Sequence, residues 1–365
     1  MGVIRILATG ELWRLRKYRI WKTFLDDYRY HPGKFFQTAA IHRRGFTRSD
    51  WEILELNKEN YNAYLSSRSY TALHPMNGYY SKLIDDKMVI KYIFSGTSAE
   101  KLLPEYYYLI DESGVVFPMM DLPHESGADV SAIRALLKDK GRLALKLVTG
   151  FVGQGFYKLV YQNGAILVSG KEMSESDFMS FLLQCKNYII TEFLLPHPDL
   201  AAYWPYTANT IRYLLGRVGN EWRMIRSFVR FGTEQSGEVE NLGRGGVLCY
   251  IDENGFFEKG YLLQKRGNKQ IVDVLERHPQ SQKELKGRIP LWPEVQNAAD
   301  KIINIFPQTR YLGLDFVVTD QNTVKLLEIN SLTSLDSIQL DQSILETENG
   351  KWFFEAIQNE ENKKR

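Results

Sequence analysis

Apolar runs and turn signals follow one another most regularly between residues 143 and 193. Residues 143–148 read as a strand, a glycine turn follows, and residues 157–161 read as the returning strand. Asn163-Gly164 is a strong hairpin signal leading into residues 165–168. Ser174-Glu175-Ser176-Asp177 resembles a capping box, after which Phe178, Phe181, Leu182 and Cys185 recur at helical spacing. Residues 188–193 close the unit as a strand. The order strand, strand, strand, helix, strand describes an α+β unit.

The flanks are less regular. Up to about Thr71 the pattern is mainly helical, with Pro32 as its one proline, and His74-Pro75-Met76-Asn77-Gly78 forms a loop. Residues 106–110 read as a strand that turns through Asp111-Glu112-Ser113-Gly114 into residues 115–117. A helix over residues 129–139 places Val130, Ile133, Leu136 and Leu137 along one face. Beyond the central unit, residues 211–215, 222–231 and 246–251 are strand-like, and a helix from Pro293 aligns Val295, Ala299, Ile302 and Phe306. Two apolar runs, residues 312–318 and 325–331, then form a hairpin through Thr319-Asp320-Gln321-Asn322. After Gly350 a short amphipathic helix and a frayed charged tail, residues 360–365, are expected.

Composition narrows the class. A chain of 365 residues with 44% hydrophobic and 25% charged residues is globular and long enough for two or three subdomains. The net charge of +2 gives no reason to expect a nucleic-acid partner. Cys185 and Cys249 fit buried thiols in a reducing compartment. No apolar run approaches the ~20 residues of a membrane span. Glu11, Arg14, Arg16 and Lys17 break up any signal-peptide core, so a cytoplasmic location is expected.

The first fifty residues are locally basic, with Arg5, Arg14, Arg16, Lys17, Arg19, Lys22, Arg29, Lys34, Arg43, Arg44 and Arg48 against Glu11, Asp26, Asp27 and Asp50. Trp13, Tyr18, Trp21, Phe24, Tyr28, Phe35 and Phe36 are interleaved. This pattern suits either a helical cap on the main body or peripheral contact with a membrane surface through residues 1–50.

The chemistry-bearing residues lie at two places. The C-terminal hairpin is apolar, yet each run carries a carboxylate, Asp315 and Glu328, with Asn330 nearby. Two anions about 4 Å apart at an effective dielectric near 20 repel by roughly 4 kcal/mol, so a buried pair calls for a compensating cation. Oxygen-only ligands suit Mg²⁺; exposed acids at the hairpin ends are the alternative. Upstream, Gly150-Phe151-Val152-Gly153-Gln154-Gly155 follows Lys146 and joins two strands. Such a loop can present backbone N–H groups to a phosphate, or simply turn the chain. Phe156-Tyr157 stands where a P-loop needs Lys-Ser/Thr, which excludes a Walker-type site. The six histidines show no H-E-x-x-H pairing, and no serine or cysteine nucleophile motif occurs.

Together these features resemble the ATP-grasp superfamily over about residues 80–340. Pro196-His197-Pro198, Asn209-Thr210-Ile211-Arg212, Ser227-Phe228-Val229-Arg230 and Glu240-Asn241-Leu242-Gly243-Arg244-Gly245-Gly246 resemble its sugar-transfer-associated branch, linked with capsule and surface-polysaccharide biosynthesis. The resemblance implies an α+β ATP-grasp fold whose two subdomains clamp ATP. It divides the chain into a helical extension (1–75), a pre-ATP-grasp region (76–140), a lid subdomain (141–195), a large subdomain (196–345) and a C-terminal helix and tail (346–365).

By the same resemblance Lys87 and Lys146 contact phosphates, with Gly150, Gly153 and Gly155 in the closing loop. Glu192, Phe193 and Leu194 read the nucleoside, and Asp315, Glu328 and Asn330 hold Mg²⁺. Arg212 and Arg230, with Lys146, neutralise transferring or substrate oxyanions. The implied activity is ATP-dependent joining of a carboxylate to an amine through an acyl phosphate, the acid being a uronic acid of a surface glycan. A phosphotransferase on the same scaffold, or a nucleotide-binding protein without turnover, are the alternatives. Oligomeric state is not legible.

Overall fold

The computed structural model describes residues 16–363 apart from 31, 124, 151, 152, 154 and 268. Arg5, Glu11, Trp13 and Arg14, and the Phe151, Val152 and Gln154 positions of the glycine loop, lie outside the described residues, as do the side chains of Arg16, Lys17, Tyr18 and Arg19.

Helices dominate the first part: α1 (Arg16–Tyr30), α2 (Phe35–Arg43), α3 (Arg48–Ile53), α4 (Ser67–Leu73), α5 (Tyr80–Ile84) and α6 (Lys87–Phe94). Thr47 and Asp50 cap α3 reciprocally, and Asp86 caps α6 by accepting from the Met88 and Val89 amides. The chain then forms β1 (Tyr106–Ile110), β2 (Val116–Pro118), α7 (Val130–Lys140), β3 (Arg142–Leu147), β4 (Tyr157–Gln162), β5 (Ala165–Val168), β6 (Lys171–Met173), α8 (Glu175–Gln184) and β7 (Tyr188–Glu192). Asn163 and Gly164 carry the positive φ angles expected of the tight β4–β5 turn, 53° and 82°. These strands make one sheet in the order β2-β1-β7-β3-β4-β5-β6. Strand β3 alternates: Leu143 and Leu145 pack under α7 and α8 with Ile133, Leu137, Phe178 and Leu182, which turns Ala144 and Lys146 to the other face.

After α9 (Pro198–Ala201) come β8 (Ile211–Val218), β9 (Glu221–Phe231), β10 (Val247–Ile251), β11 (Phe256–Phe257), β12 (Gly260–Arg266), β13 (Lys269–Leu275), β14 (Gly287–Arg288), α10 (Trp292–Ile305), β15 (Tyr311–Val318), β16 (Val324–Asn330) and α11 (Glu348–Lys363). The second sheet runs β13-β12-β10-β9-β8-β15-β16. Its β12–β13 hairpin is not legible in the sequence, because polar residues crowd its turn end: Gln264, Lys265, Arg266, Lys269 and Gln270. One face packs on α10 through Val295, Ala299 and Ile302; the other packs on α11 through Phe353, Phe354 and Ile357.

The C-terminal expectation needs correcting. The helix starts at Glu348, ahead of Gly350, and runs to Lys363; Glu360 is paired with Arg310 at 2.9 Å instead of lying in a frayed tail.

The N-terminal helices divide their labour. Phe24, Tyr28 and Phe35 pack on one another across α1 and α2. Phe46, Trp51 and Tyr61 form a cluster that includes Leu263 and Val272 of the second sheet. The helical-cap reading thus describes residues from about 41 onward, whereas Trp21, Phe35 and Phe36 remain 59%, 49% and 88% exposed.

Candidate functional site

Between the two sheets lies a cavity of about 470 Å³. The first sheet contributes Ala144 and Lys146 from β3, with Leu147, Gly150 and Gly153 above them. Glu192, Phe193 and Leu194 line the crossing from this sheet to the second. Backbone contacts fix that crossing, His197 N donating to Val318 O at 2.7 Å and Asp320 N to Leu195 O at 3.1 Å.

The opposite wall is a row of side chains across neighbouring strands. Glu328 on β16 stands opposite Asp315 on β15, Asp315 opposite Arg212 on β8, and Arg212 opposite Phe228 on β9. A bulge in β16 makes this row possible. Phe316 pairs with Leu326 but Asp315 pairs with Glu328, so Leu327 is the extra residue. Strict alternation would have left Glu328 and Asn330 on the face of Val324 and Leu326, which is core. The bulge rotates them to the cavity.

Charge is closely balanced along the row. Arg212 grips Asp315 with Nε at 2.5 Å and Nη2 at 2.8 Å, and Arg230 Nη2 reaches the same carboxylate at 3.1 Å. Burial would raise the Asp315 pKa, but the two guanidiniums outweigh it and hold it well below the usual carboxylate range. Glu328 pairs with Lys87 Nζ at 3.1 Å, and Lys87 also donates to Gly150 O at 3.1 Å. Asn330 Nδ2 sits 3.2 Å from Glu328 and 3.4 Å from Asp315. The cations demanded by a buried carboxylate pair are therefore, in the folded chain, Arg212, Arg230 and Lys87.

Lys146 is the exception. Among the described residues it has no ion-pair partner, and burial followed by the nearby Lys87 pushes its pKa down to about 8, against the pull of Glu328, Glu192 and Glu240. A desolvated ammonium facing a cavity suits a multivalent anion. Arg230 Nε, buried without a hydrogen-bond partner, adds to that tendency. For a divalent cation, the partly exposed Glu328 and the Asn330 side-chain oxygen are the accessible donors, while both Asp315 oxygens already accept from guanidinium. This oxygen-only set fits a hard ion, and no cluster of three or more His, Cys, Asp or Glu side chains suited to a metal occurs among the described residues.

Of the sequence-selected residues, Lys87, Lys146, Gly150, Gly153, Glu192, Phe193, Leu194, Arg212, Arg230, Asp315, Glu328 and Asn330 all border the cavity. Gly155 does not: it packs against Leu147 and Tyr188, where a Cβ would sit 2.5 Å from Leu147 Cδ1. The cavity also takes Thr210, Glu238, Glu240, Thr333 and Asp336, none of which the sequence reading singled out. Thr210 and Glu240 stood in the quoted motifs, of which only Arg212 and Arg230 were given roles.

A family model described as sugar-transfer associated ATP-grasp matches residues 68–350. The chain belongs to this family. Its fold is accordingly the α+β ATP-grasp fold, with the cavity between the two sheets. No curated protein matches the chain. Among solved structures it is similar to the ATP-grasp ligase PsnB complexed with minimal precursor, at 10% identity over 78% of this chain and 63% of that one, with a TM-score of 0.37. It is also similar to D-alanyl-alanine synthetase A from Vibrio cholerae O1 biovar eltor, at 10% identity over 76% and 65% of the two chains, with a TM-score of 0.41. A third is N5-carboxyaminoimidazole synthetase from Staphylococcus aureus complexed with ADP, at 12% identity over 72% and 51%, with a TM-score of 0.39. The chain thus spans 63% and 65% of the length of the first two, and the assignment of this sugar-transfer associated ATP-grasp protein rests on the family match.

Proposed function

We propose that this ATP-grasp protein is an ATP-dependent carboxylate–amine ligase that works through an acyl phosphate, with a uronic acid of a surface glycan as the acid. The observation that carries the reading is the convergence of the unpaired Lys146 with Lys87, Glu328 and Asn330 on one cavity. In this reading Lys87 and Lys146 hold phosphate oxygens, Gly150 and Gly153 cover them, and Glu192 to Leu194 receive the nucleoside. Glu328 and Asn330, with Asp315 behind them, would hold Mg²⁺, whose contribution when bound is charge neutralisation on the phosphates. Arg212 and Arg230 orient the substrate carboxylate and stabilise its developing charge. We assign residues 141–195 and 196–345 to the two clamping subdomains, with 1–75, 76–140 and 346–365 as accessory segments.

The test is to incubate the protein with ATP, Mg²⁺ and uronic acid–amine pairs, following ADP and product mass. Acid-dependent ADP with an amide of matching mass supports the ligase. A phosphorylated acid or sugar without amide would instead assign a kinase, and no nucleotide binding by calorimetry would remove both.

The exposed Trp21, Phe35 and Phe36, flanked by Lys22, Arg29 and Lys34, support peripheral contact with an anionic membrane surface at the inner face. No described helix is long and apolar enough to cross a membrane. Co-sedimentation with anionic vesicles should fall when Trp21 and Phe36 are changed to Ser; equal sedimentation of wild type and variant rules the contact out.

A further inference from the structure

The cavity lining also includes Thr207, Thr210, Glu238, Glu240, Thr333 and Asp336. The nucleotide reading gives these residues no role. Glu240 hangs from the segment between β9 and β10, half-buried, with one face on the cavity. Thr210 Oγ1 donates to Glu240 Oε1 at 2.6 Å and accepts from Arg230 Nη2 at 2.7 Å. One hydroxyl therefore links the carboxylate to the guanidinium that also holds Asp315. Among the described residues Thr210 is the one side chain that donates to Glu240; its own backbone N–H also donates to the carboxylate, and the carboxylate borders the cavity.

The segment is held firmly at its root. His278 Nε2 donates to Gly232 O at 2.8 Å, and Thr233 Oγ1 donates to Gly245 O at 2.7 Å. Asn209 Oδ1 accepts from Thr207 Oγ1 at 3.0 Å and Gly232 N at 3.4 Å. Further along, Val239 lies against Gly153 of the β3–β4 loop, and Glu238 accepts from the Lys158 amide at 3.4 Å. Glu240 is thus a positioned group bordering the cavity.

We infer that Glu240 is a further catalytic residue, the group that binds the incoming primary amine as its ammonium and takes its proton. The inference rests on the ligase reading. In the step, one ammonium proton passes to Glu240. The freed nitrogen lone pair bonds the acyl carbon, and the bond from that carbon to the phosphate oxygen breaks. Phosphate leaves with the electron pair and takes the second N–H proton; Glu240 then returns its own proton to water. The groups facing Glu240 are Arg230 on β9, Lys146 on β3, Asp315 on β15 and Glu238 on its own segment. Burial, assisted by Asp315, raises its pKa above the ordinary value against Arg230, Thr210 and its own backbone N–H, which brings a carboxylate closer to the basicity needed to deprotonate an amine.

The full-length protein with ATP, Mg²⁺ and glucuronate or galacturonate as the acid tests this, using L-amino acids or hydroxylamine as nucleophile. Hydroxylamine arrives uncharged near neutral pH and needs no base to free its lone pair. Glu240→Gln is expected to lower kcat/KM for the amino acid by about 10² or more, and hydroxamate formation at least about tenfold less than that. The acid limb of the wild-type pH profile should vanish in Glu240→Gln and shift in Glu240→Asp. Equal losses with both nucleophiles, or an unchanged acid limb, would overturn the role of Glu240 while leaving the ligase reading intact. A wild type that yields neither hydroxamate nor acid-dependent ADP overturns the ligase reading and this inference with it.

Discussion

At the scale of single residues, Lys146 and Asp315 show opposite solutions to burying a charge. Lys146 is desolvated and unpaired, with a pKa near 8. A phosphate beside it would raise that value, so nucleotide binding should take up a proton when the pH is near 8. Affinity is expected to be strongest below pH 8 and to weaken by at most about tenfold per pH unit above it. Calorimetry in buffers of different ionisation enthalpy reads the proton uptake directly, and Lys146→Met should abolish it. Asp315 is instead fully paired. Its folded pKa is depressed, so its stabilising contribution is complete above the ordinary value of 3.8 and is lost as pH falls through the lower folded value. Asp315→Ala removes the one carboxylate that Arg212 and Arg230 both contact directly and should cost about 3–5 kcal/mol in urea unfolding at neutral pH. A loss below about 1 kcal/mol would mean that water replaces the carboxylate.

At the scale of elements, the glycine loop combines two tasks that spacing alone does not separate. Gly153 has φ +68° and Gly155 φ +65°, so alanine at either position is strained. Their surroundings differ. A Cβ on Gly153 would meet Val239 Cγ1 at 2.8 Å, across the roof of the cavity, whereas one on Gly155 would meet Leu147 and Tyr188 within the first sheet. Gly155→Ala is therefore expected to lower stability by more than about 1 kcal/mol, and Gly153→Ala to weaken ATP binding more than it lowers stability. Paired urea unfolding and ATP titrations of the two variants check this, and equal ratios in both would refute the division. The hairpin makes a related point. Its strands and turn follow from apolar runs and Asn322, which adopts a positive φ of 55°. The bulge at Leu327 carries no sequence signature, yet it decides which face Glu328 and Asn330 occupy.

At the scale of the whole molecule, the family match begins at residue 68 but the packing begins earlier. Ile41, Phe46, Ile53, Leu54 and Leu56 form a cluster with Leu263, Val272 and Leu340. Ser49 donates to Gln270 Oε1 at 2.5 Å and Gln270 N to Glu52 Oε2 at 3.1 Å, so α3 extends the support of β13 at the sheet edge. A chain shortened to residues 68–365 should expose that cluster, bind a hydrophobic dye and unfold at lower urea than the full chain. Unchanged dye binding and urea midpoint would show the helices to be independent of the second sheet. Membrane contact is for the same reason better tested by substituting Trp21 and Phe36 than by removing the whole segment.

The sequence by itself determined the local elements and the chemical kinds of residue available. Alternation, turn residues and caps are short-range, so the hairpins at Asn163-Gly164 and at residues 319–323, and the helices before and after them, follow from neighbouring positions. It also supplied Lys87, Lys146, Asp315, Glu328 and Asn330 as candidates. Tertiary structure alone decided what balances what. Arg212 lies 103 residues from Asp315 in the chain yet holds both of its oxygens. Thr210 joins Arg230 to Glu240. Lys146 keeps no ion-pair or hydrogen-bond partner among the described residues. Pairing of charges depends on sheet order, register and one bulge, and these are set by long-range packing that no local pattern encodes.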